Sequence, residues 1–320
     1  MKIILSSILV TVLLVAGCEK KSEEQFEGSE LKGTITMSGA WALYPMAVKW
    51  AEEFQRIHPK VKIDIAAGGA GKGMADCLAE AVDLGMVSRD IFPAEIEKGA
   101  YWFSVTKDAV VPTVNENNPA LTELITKGVC KETFIKIWIT GEIKNWGDVA
   151  GSDRSHQINV YTRSDACGAA ETWANYLGRN QEDILGVGVY GDPGLAEAVR
   201  KDILGIGFNN INYVYDTKAK NQVAGLRVLP IDLNGNGMID KDEDFYSSRD
   251  DIVKAIATGQ YPSPPARLLH LVSQGNPKRK VVREFINWVL TDGQKYVPES
   301  GYINLTKDKI QVEIKKLANK

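Results

Sequence analysis

From residue 33 onward, short runs of period-two hydrophobicity alternate with longer runs whose apolar residues recur every three or four positions, which predicts strands alternating with helices. Thr34-Ile35-Thr36-Met37 reads as a strand ending in a turn at Ser38-Gly39. Pro45 falls in the first turn of the next helix, where a missing N–H costs nothing. Met46, Trp50 and Phe54 mark that helix's buried stripe. A second unit follows: the alternating strand Val61-Lys62-Ile63-Asp64-Ile65, a glycine-rich turn over 68–73, and a helix carrying Met74, Leu78 and Val82. Leu84-Gly85-Met86-Val87 is another strand, ending at Ser88-Arg89. Ile158-Asn159-Val160-Tyr161, a turn over 163–168 and a helix with Trp173 and Leu177 repeat the theme. Such alternation implies a mostly parallel α/β sheet. Two further strands, over 108–114 and 267–272, permit a chain that leaves one α/β lobe and later returns to it through two crossover segments.

The composition fits that reading. With 44% hydrophobic and 25% charged residues, the 320-residue chain is globular and long enough for two domains. A formal net charge of −3 gives no support to a nucleic-acid partner. An anionic ligand would have to be drawn in by a few local groups.

The N-terminus sets the compartment. Lys2 precedes an apolar run over 3–16, too short to span a bilayer and suited to the core of a signal peptide. The run ends in Val15-Ala16-Gly17-Cys18, which resembles a bacterial lipobox. The expectation is a signal peptide over 1–17, cleavage after Gly17, a lipidated Cys18 and a polar tether over 18–32. The protein would then be exported and anchored on the extracytoplasmic face of a membrane. An ordinary signal peptide with a chance cysteine is the alternative. Cys77, Cys130 and Cys167 remain, an odd number with no Cys-x-x-Cys spacing, and are expected to be small buried or semi-buried thiols.

Three segments share a strand, a small-residue turn and a helix start: Ser38-Gly39-Ala40-Trp41-Ala42, the 68–73 turn with Gly69, Ala70 and Gly71, and Arg163-Ser164-Asp165-Ala166-Cys167-Gly168-Ala169. Helix N-termini carry backbone N–H groups without intrahelical partners and a partial positive charge. Such junctions bind anions without any charged side chain. Glycine turns also simply connect strands to helices; three of them with Arg163 beside the third favour a site. The 68–73 turn is no nucleotide-binding loop, because Gly73 follows Lys72 where Ser or Thr is required.

Ile139-Thr140-Gly141-Glu142-Ile143-Lys144-Asn145-Trp146-Gly147-Asp148-Val149 resembles a signature of phosphate-binding proteins of the type II periplasmic binding protein fold. Residues 44–54, 68–73 and 83–89, Gly205-Ile206-Gly207-Phe208 and the stretch over 285–304 resemble other motifs of that family, in the same order. The resemblance implies two lobes, each a mostly parallel sheet flanked by helices, with lobe I at 33–112 and 260–320 and lobe II at 113–259. It also implies a substrate-binding protein that closes on phosphate and delivers it to an ABC permease and ATPase. The family's hydroxyl-bearing positions are occupied here by Ala40, Trp41, Ala42, Ala70, Cys167 and Ala169. An aspartate that follows the serine in some members is replaced by Arg89. Ser38, Ser88, Arg89, Arg163 and the backbone amides then remain for phosphate, or the ligand is a different anion. Trp41 either covers part of that ligand or lines the hinge. Asp165 either accepts a proton from the ligand or orients Arg163. A sensor or scaffold lipoprotein with a degenerate cleft is the reading outside transport.

Asp232-Leu233-Asn234-Gly235-Asn236-Gly237-Met238-Ile239-Asp240-Lys241-Asp242-Glu243 fits an EF-hand calcium loop. Asp232, Asn234 and Asn236 supply oxygens at positions one, three and five, Met238 its carbonyl, Asp240 a direct or water-borne ligand, and Glu243 the closing carboxylate. A structural Ca2+ is expected, and no organic cofactor. Enzyme readings are poor: His58, His156 and His270 lie far apart and no nucleophile motif appears. Cys167 at a helix N-terminus is open to a lowered pKa but has no evident base.

Overall fold

The computed structural model describes residues 30–153 and 155–318. The expected signal peptide, Cys18 and the tether as far as residue 29 lie outside the described residues. The strands are β1 (Gly33–Gly39), β2 (Val61–Ala67), β3 (Leu84–Val87), β4 (Ala100–Asn115), β5 (Val129–Cys130), β6 (Asn159–Arg163), β7 (Val187–Val189), β8 (Gly205–Asn210), β9 (Leu226–Val228), β10 (Ile231–Asp232) and β11 (Ala266–Gln274). The main sheet runs β2-β1-β3-β11-β4-β8-β6-β7, with β9 also on β4, while β5 and β10 pair separately. Pairing is parallel within β1, β2 and β3 and within β6, β7 and β8. It is antiparallel where β11 meets β3 and β4 and where β4 meets β8 and β9.

This mixed α/β sheet serves two hydrophobic cores. One is built from residues between Ile35 and Val105 and between Leu269 and Leu317. The other is built from residues between Ala109 and Ala266, joined by Ile303 from the C-terminal tail. The cores thus divide inside β4 and at the start of β11, the two strands that carry the chain between lobes. In the first core the stripe Met46, Trp50 and Phe54 is buried as its spacing predicts, and Phe54 packs on Phe285 and Trp288. In the second, Trp173 sits against Phe134, Trp138 and Phe208 at centroid separations of 5.3 to 6.0 Å. Full burial of each such ring contributes roughly 1.5–3 kcal/mol.

Three local expectations shift. The strand expected over 108–114 is a sixteen-residue strand from Ala100 to Asn115. Its first half hid because the buried polar residues Ser104 and Thr106 interrupt the apolar run. The turn over 68–73 shortens, because a helix already begins at Ala70. Gly73 lets that helix lie on β1 and β3: a Cβ there would stand 2.6 Å from the Met86 carbonyl and 2.8 Å from Gly39 Cα. The same helix ends at Leu78, so Val82 lies in the turn that follows rather than on the helical stripe.

Candidate anion site between the lobes

The three junctions singled out in the sequence meet where the lobes touch. The helix Ala70–Leu78 points its N-terminus at the segment before the helix Gly168–Tyr176, and Gly71 N–H donates to the Ala166 carbonyl at 3.1 Å. A Cβ at Gly69 would stand 2.8 Å from the Ala166 carbonyl and 2.9 Å from Asp165 Oδ2. A Cβ at Gly168 would overlap the carbonyl and hydroxyl of Ser88. Trp41 lies against Gly191 and meets Tyr190 edge-on, its ring centroid 6.4 Å away. Tyr213 Oη donates to the Trp41 carbonyl at 3.0 Å. The Trp41 Nε1 is buried and has no hydrogen-bond partner.

The backbone donors divide into two sets. The amides of Ala40, Gly69 and Gly71 are spent on Met86, Gly39 and Ala166, so two of the glycine amides expected to face the ligand are engaged inside the protein. The amides of Trp41, Ala42, Ala70, Gly168 and Ala169 make no hydrogen bond to another described residue. They are helix-start donors of the kind that hold anions. Among the positions without hydroxyls, Trp41, Ala42, Ala70 and Ala169 therefore keep an unspent backbone N–H, while the amides of Ala40 and Cys167 bond Met86 and Gln181.

Arg163 is the charged member. Its Nε and Nη2 grip Asp165 at 2.9 and 2.6 Å, and its Nη1 bonds Asp192 Oδ2 at 2.7 Å. Asp165 Oδ1 also accepts from Gly191 N–H at 3.1 Å. Burial works against the guanidinium charge, but Asp192 and Asp165 more than restore it and raise its pKa. Asp165 thus orients Arg163, one of its two expected roles.

Sequence reasoning missed the residues behind this cluster. Asp192 Oδ1 accepts from Asn210 Nδ2 at 2.5 Å, and Asn210 Oδ1 accepts from Arg267. Arg267 pairs with Asp108 directly across β11 and β4, with Nε to Oδ1 at 2.9 Å, and its Nη1 donates to Thr172 at 3.1 Å. Burial pushes the Asp108 carboxyl up, against the pull of Arg267. An aspartate and an arginine each followed by apolar residues of a strand, Ala109-Val110-Val111 and Leu268-Leu269, were the available signal, since buried charges are paired.

Other expected residues have partners of their own. Arg89 is turned away from the cluster: it bonds both oxygens of Glu95 and lies over the Phe92 ring at 4.0 Å. The Ser38 hydroxyl donates to Asp76 at 2.7 Å. Cys167 caps its helix, its sulfur accepting from Ala170 N–H at 3.4 Å. Burial pushes this thiol up to about 12, opposite to the lowered pKa considered from the sequence.

The loop over 232–243 folds around its own carboxylates. Asp232 accepts from the N–H groups of Gly235 and Gly237, and Glu243 from those of Leu233, Asn234 and Asp240. Gly237, at φ +80°, makes the sharp turn. Asp232 and Glu243 are 5% and 3% exposed, and among the described residues no lysine or arginine pairs with either. Ile239 N–H docks the loop on the Thr126 carbonyl at 3.1 Å.

The fold and this inter-lobe site define a ligand-binding protein of the periplasmic type, and the comparisons agree. A PBP superfamily domain matches residues 25–293, and the chain belongs to that superfamily. It is 26% identical to the phosphate-binding protein PstS of Bacillus subtilis over 97% of this chain and 96% of that one. It is 24% identical to the PstS of Methanocaldococcus jannaschii, covering 94% of this chain and 90% of that one. Among solved structures it is similar to a putative phosphate ABC transporter substrate-binding protein with bound phosphate from Clostridium perfringens, with a TM-score of 0.70, 20% identity and coverage of 86% and 100%. An ABC-type phosphate transport receptor from Vibrio cholerae gives a TM-score of 0.60 at 21% identity, with coverage of 85% and 100%. No described helix is long and apolar enough to cross a membrane.

The packing of Gly168 on Ser88 makes lobe contact sensitive to one side chain. Gly168→Val is expected to hold the lobes apart, read as a larger radius of gyration by small-angle scattering, while both cores stay folded by circular dichroism. A radius equal to that of the wild type would show that the contact does not govern closure.

Proposed function

We propose that this protein is the substrate-binding component of an ABC importer that captures phosphate, or a tetrahedral oxyanion of the same shape, between its lobes. The carrying observation is the set of unspent amides at Trp41, Ala42, Ala70, Gly168 and Ala169, which come from all three helix starts beside Arg163. Each hydrogen bond to a charged group contributes about 1.5–3 kcal/mol, so backbone donors replace the hydroxyls that Ala42, Ala70 and Ala169 lack. Hinge closure about β4 and β11 then presents a closed form to a membrane permease and its ATPase. Anchoring at Cys18 rests on the Val15-Ala16-Gly17-Cys18 segment and would keep the protein at the extracytoplasmic membrane surface.

Isothermal titration of the unlipidated protein with phosphate, arsenate, sulfate and molybdate tests this reading. Micromolar or tighter phosphate binding is expected, weakened at least about a hundredfold by Arg163→Ala, which strips the buried carboxylates of their counter-charge. Binding of none of the four would move the protein to a different ligand or to a sensor or scaffold role.

The loop over 232–243 is proposed to hold one Ca2+. Two buried carboxylates without a cationic partner, together with the oxygens of Asn234, Asn236, Asp240 and the Met238 carbonyl, suit a hard cation. Its role would be structural, tying the loop to the helix Leu121–Lys127 through Thr126. Calcium at about a hundred times Kd would add about 2.7 kcal/mol of stability. The melting temperature should therefore rise with calcium and fall with chelator, and Glu243→Gln should abolish the difference. A melting temperature indifferent to calcium would overturn the assignment.

A further inference from the structure

Trp41 stands in the cleft with two donors that the protein leaves unspent. Its backbone N–H makes no hydrogen bond to another described residue, and its buried indole Nε1 has no hydrogen-bond partner. Buried donors in folded proteins nearly always have partners, the tryptophan indole included. Among the described residues Trp173 and Trp288 also carry a buried indole N–H without one, but each is packed inside a single core. Trp41 lies between the lobes instead. It follows β1 of the first lobe, and its ring rests on Gly191 and Tyr190 of the second.

The indole edge that carries Nε1 is the one turned to the second lobe. A Cβ at Gly191 would stand 3.3 Å from Cε2 and Cζ2 and 3.4 Å from Nε1, so only a residue without a side chain lets the ring settle there. The Gly191 N–H in turn donates to Asp165 Oδ1, on the carboxylate that grips Arg163. Nε1 therefore sits beside the charged part of the site. The ring is also held in place. Tyr213 Oη fixes the Trp41 carbonyl at 3.0 Å, and Tyr44 and Tyr190 each stand 6.4 Å from Trp41 between ring centroids. The neighbouring carboxylates already have donors: Asp165 takes Arg163 and Gly191, and Asp192 takes Arg163 and Asn210.

We propose that the Trp41 side chain is a ligand group: with an oxyanion between the lobes, its indole N–H donates to one of the anion's oxygens, alongside the unspent amides of Trp41 and Ala42. The family resemblance places a hydroxyl at this position. The indole keeps a side-chain donor there, carried on a rigid ring whose opposite lobe contact is Gly191. Such a bond has a charged acceptor, which makes it one of the stronger kind, and the ring that supplies it also keeps water from the donor. The affinity of the cleft thus depends on a side chain of this chain's own as well as on backbone amides. This rests on the oxyanion reading of the cleft.

The test reads the indole N–H directly. By heteronuclear NMR of isotope-labelled protein, the seven tryptophans give side-chain N–H resonances, and the one missing from Trp41→Phe belongs to Trp41. Phosphate, arsenate, sulfate and molybdate are added in turn, with binding recorded by calorimetry on the same protein. With a bound anion, the Trp41 indole proton is expected to move downfield and to exchange more slowly with deuterated solvent. Trp41→Phe keeps a ring against Gly191 but has no N–H, and is expected to bind that anion about tenfold or more weakly. A melt by circular dichroism confirms that the variant is folded, and the shift is read on the wild type whatever the variant's stability. An anion bound by calorimetry while the Trp41 indole resonance stays in place, or a folded Trp41→Phe that binds as tightly as wild type, overturns the proposal and leaves the oxyanion reading standing. Binding of none of the four anions overturns both.

Discussion

The ion pair between Arg267 and Asp108 is the fixed point of this molecule. These residues face each other across β11 and β4, the two strands by which the chain passes between lobes. Removing one partner of such a buried pair costs about 3–5 kcal/mol, because the other charge is left uncompensated. The pair also has an outward reach. Arg267 holds Asn210, Asn210 holds Asp192, and Asp192 holds Arg163 at the boundary between lobes. A crossover strand in one place and the orientation of the Arg163 guanidinium in another are thus parts of one hydrogen-bonded chain. Every member of that chain is nearly buried, so it has few alternative arrangements.

The cleft itself shows how an anion site survives the loss of its side chains. A hydroxyl at a helix start adds a donor, but the helix start is already a donor because geometry denies its first amides a partner. Ala42, Ala70 and Ala169 remove only the former. What changes is the balance between backbone dipoles and formal charge.

Much of the fold was legible in the sequence, and the reasons are local. The stripe of Met46, Trp50 and Phe54, the small-residue turns and the short apolar strands each carry their signal within a dozen residues. The junctions at 38–42, 68–73 and 163–169 were legible as a group because each pairs a strand end with a helix start. The lost information is of a different kind. The first half of β4 hid because Ser104 and Thr106 are polar yet buried, and only their distant partners explain them: His270 for Ser104 and Ile303 for Thr106. Asp192 and Asn210 stand 29 and 47 positions from Arg163 in the sequence. No spacing rule joins them. Arg89 beside Ser88 invited assignment to the site, but Glu95 and Phe92 are nearer in sequence and claim it.

The central claim is that the lobes, hinged at β4 and β11, close on an oxyanion held by helix-start amides and Arg163. Small-angle scattering of the wild type, without and with saturating phosphate, tests it most directly. The account predicts a smaller radius of gyration with phosphate and no change with phosphate for Arg163→Ala. A wild-type radius that stays the same while calorimetry shows phosphate bound would contradict it, and would place the anion outside the cleft.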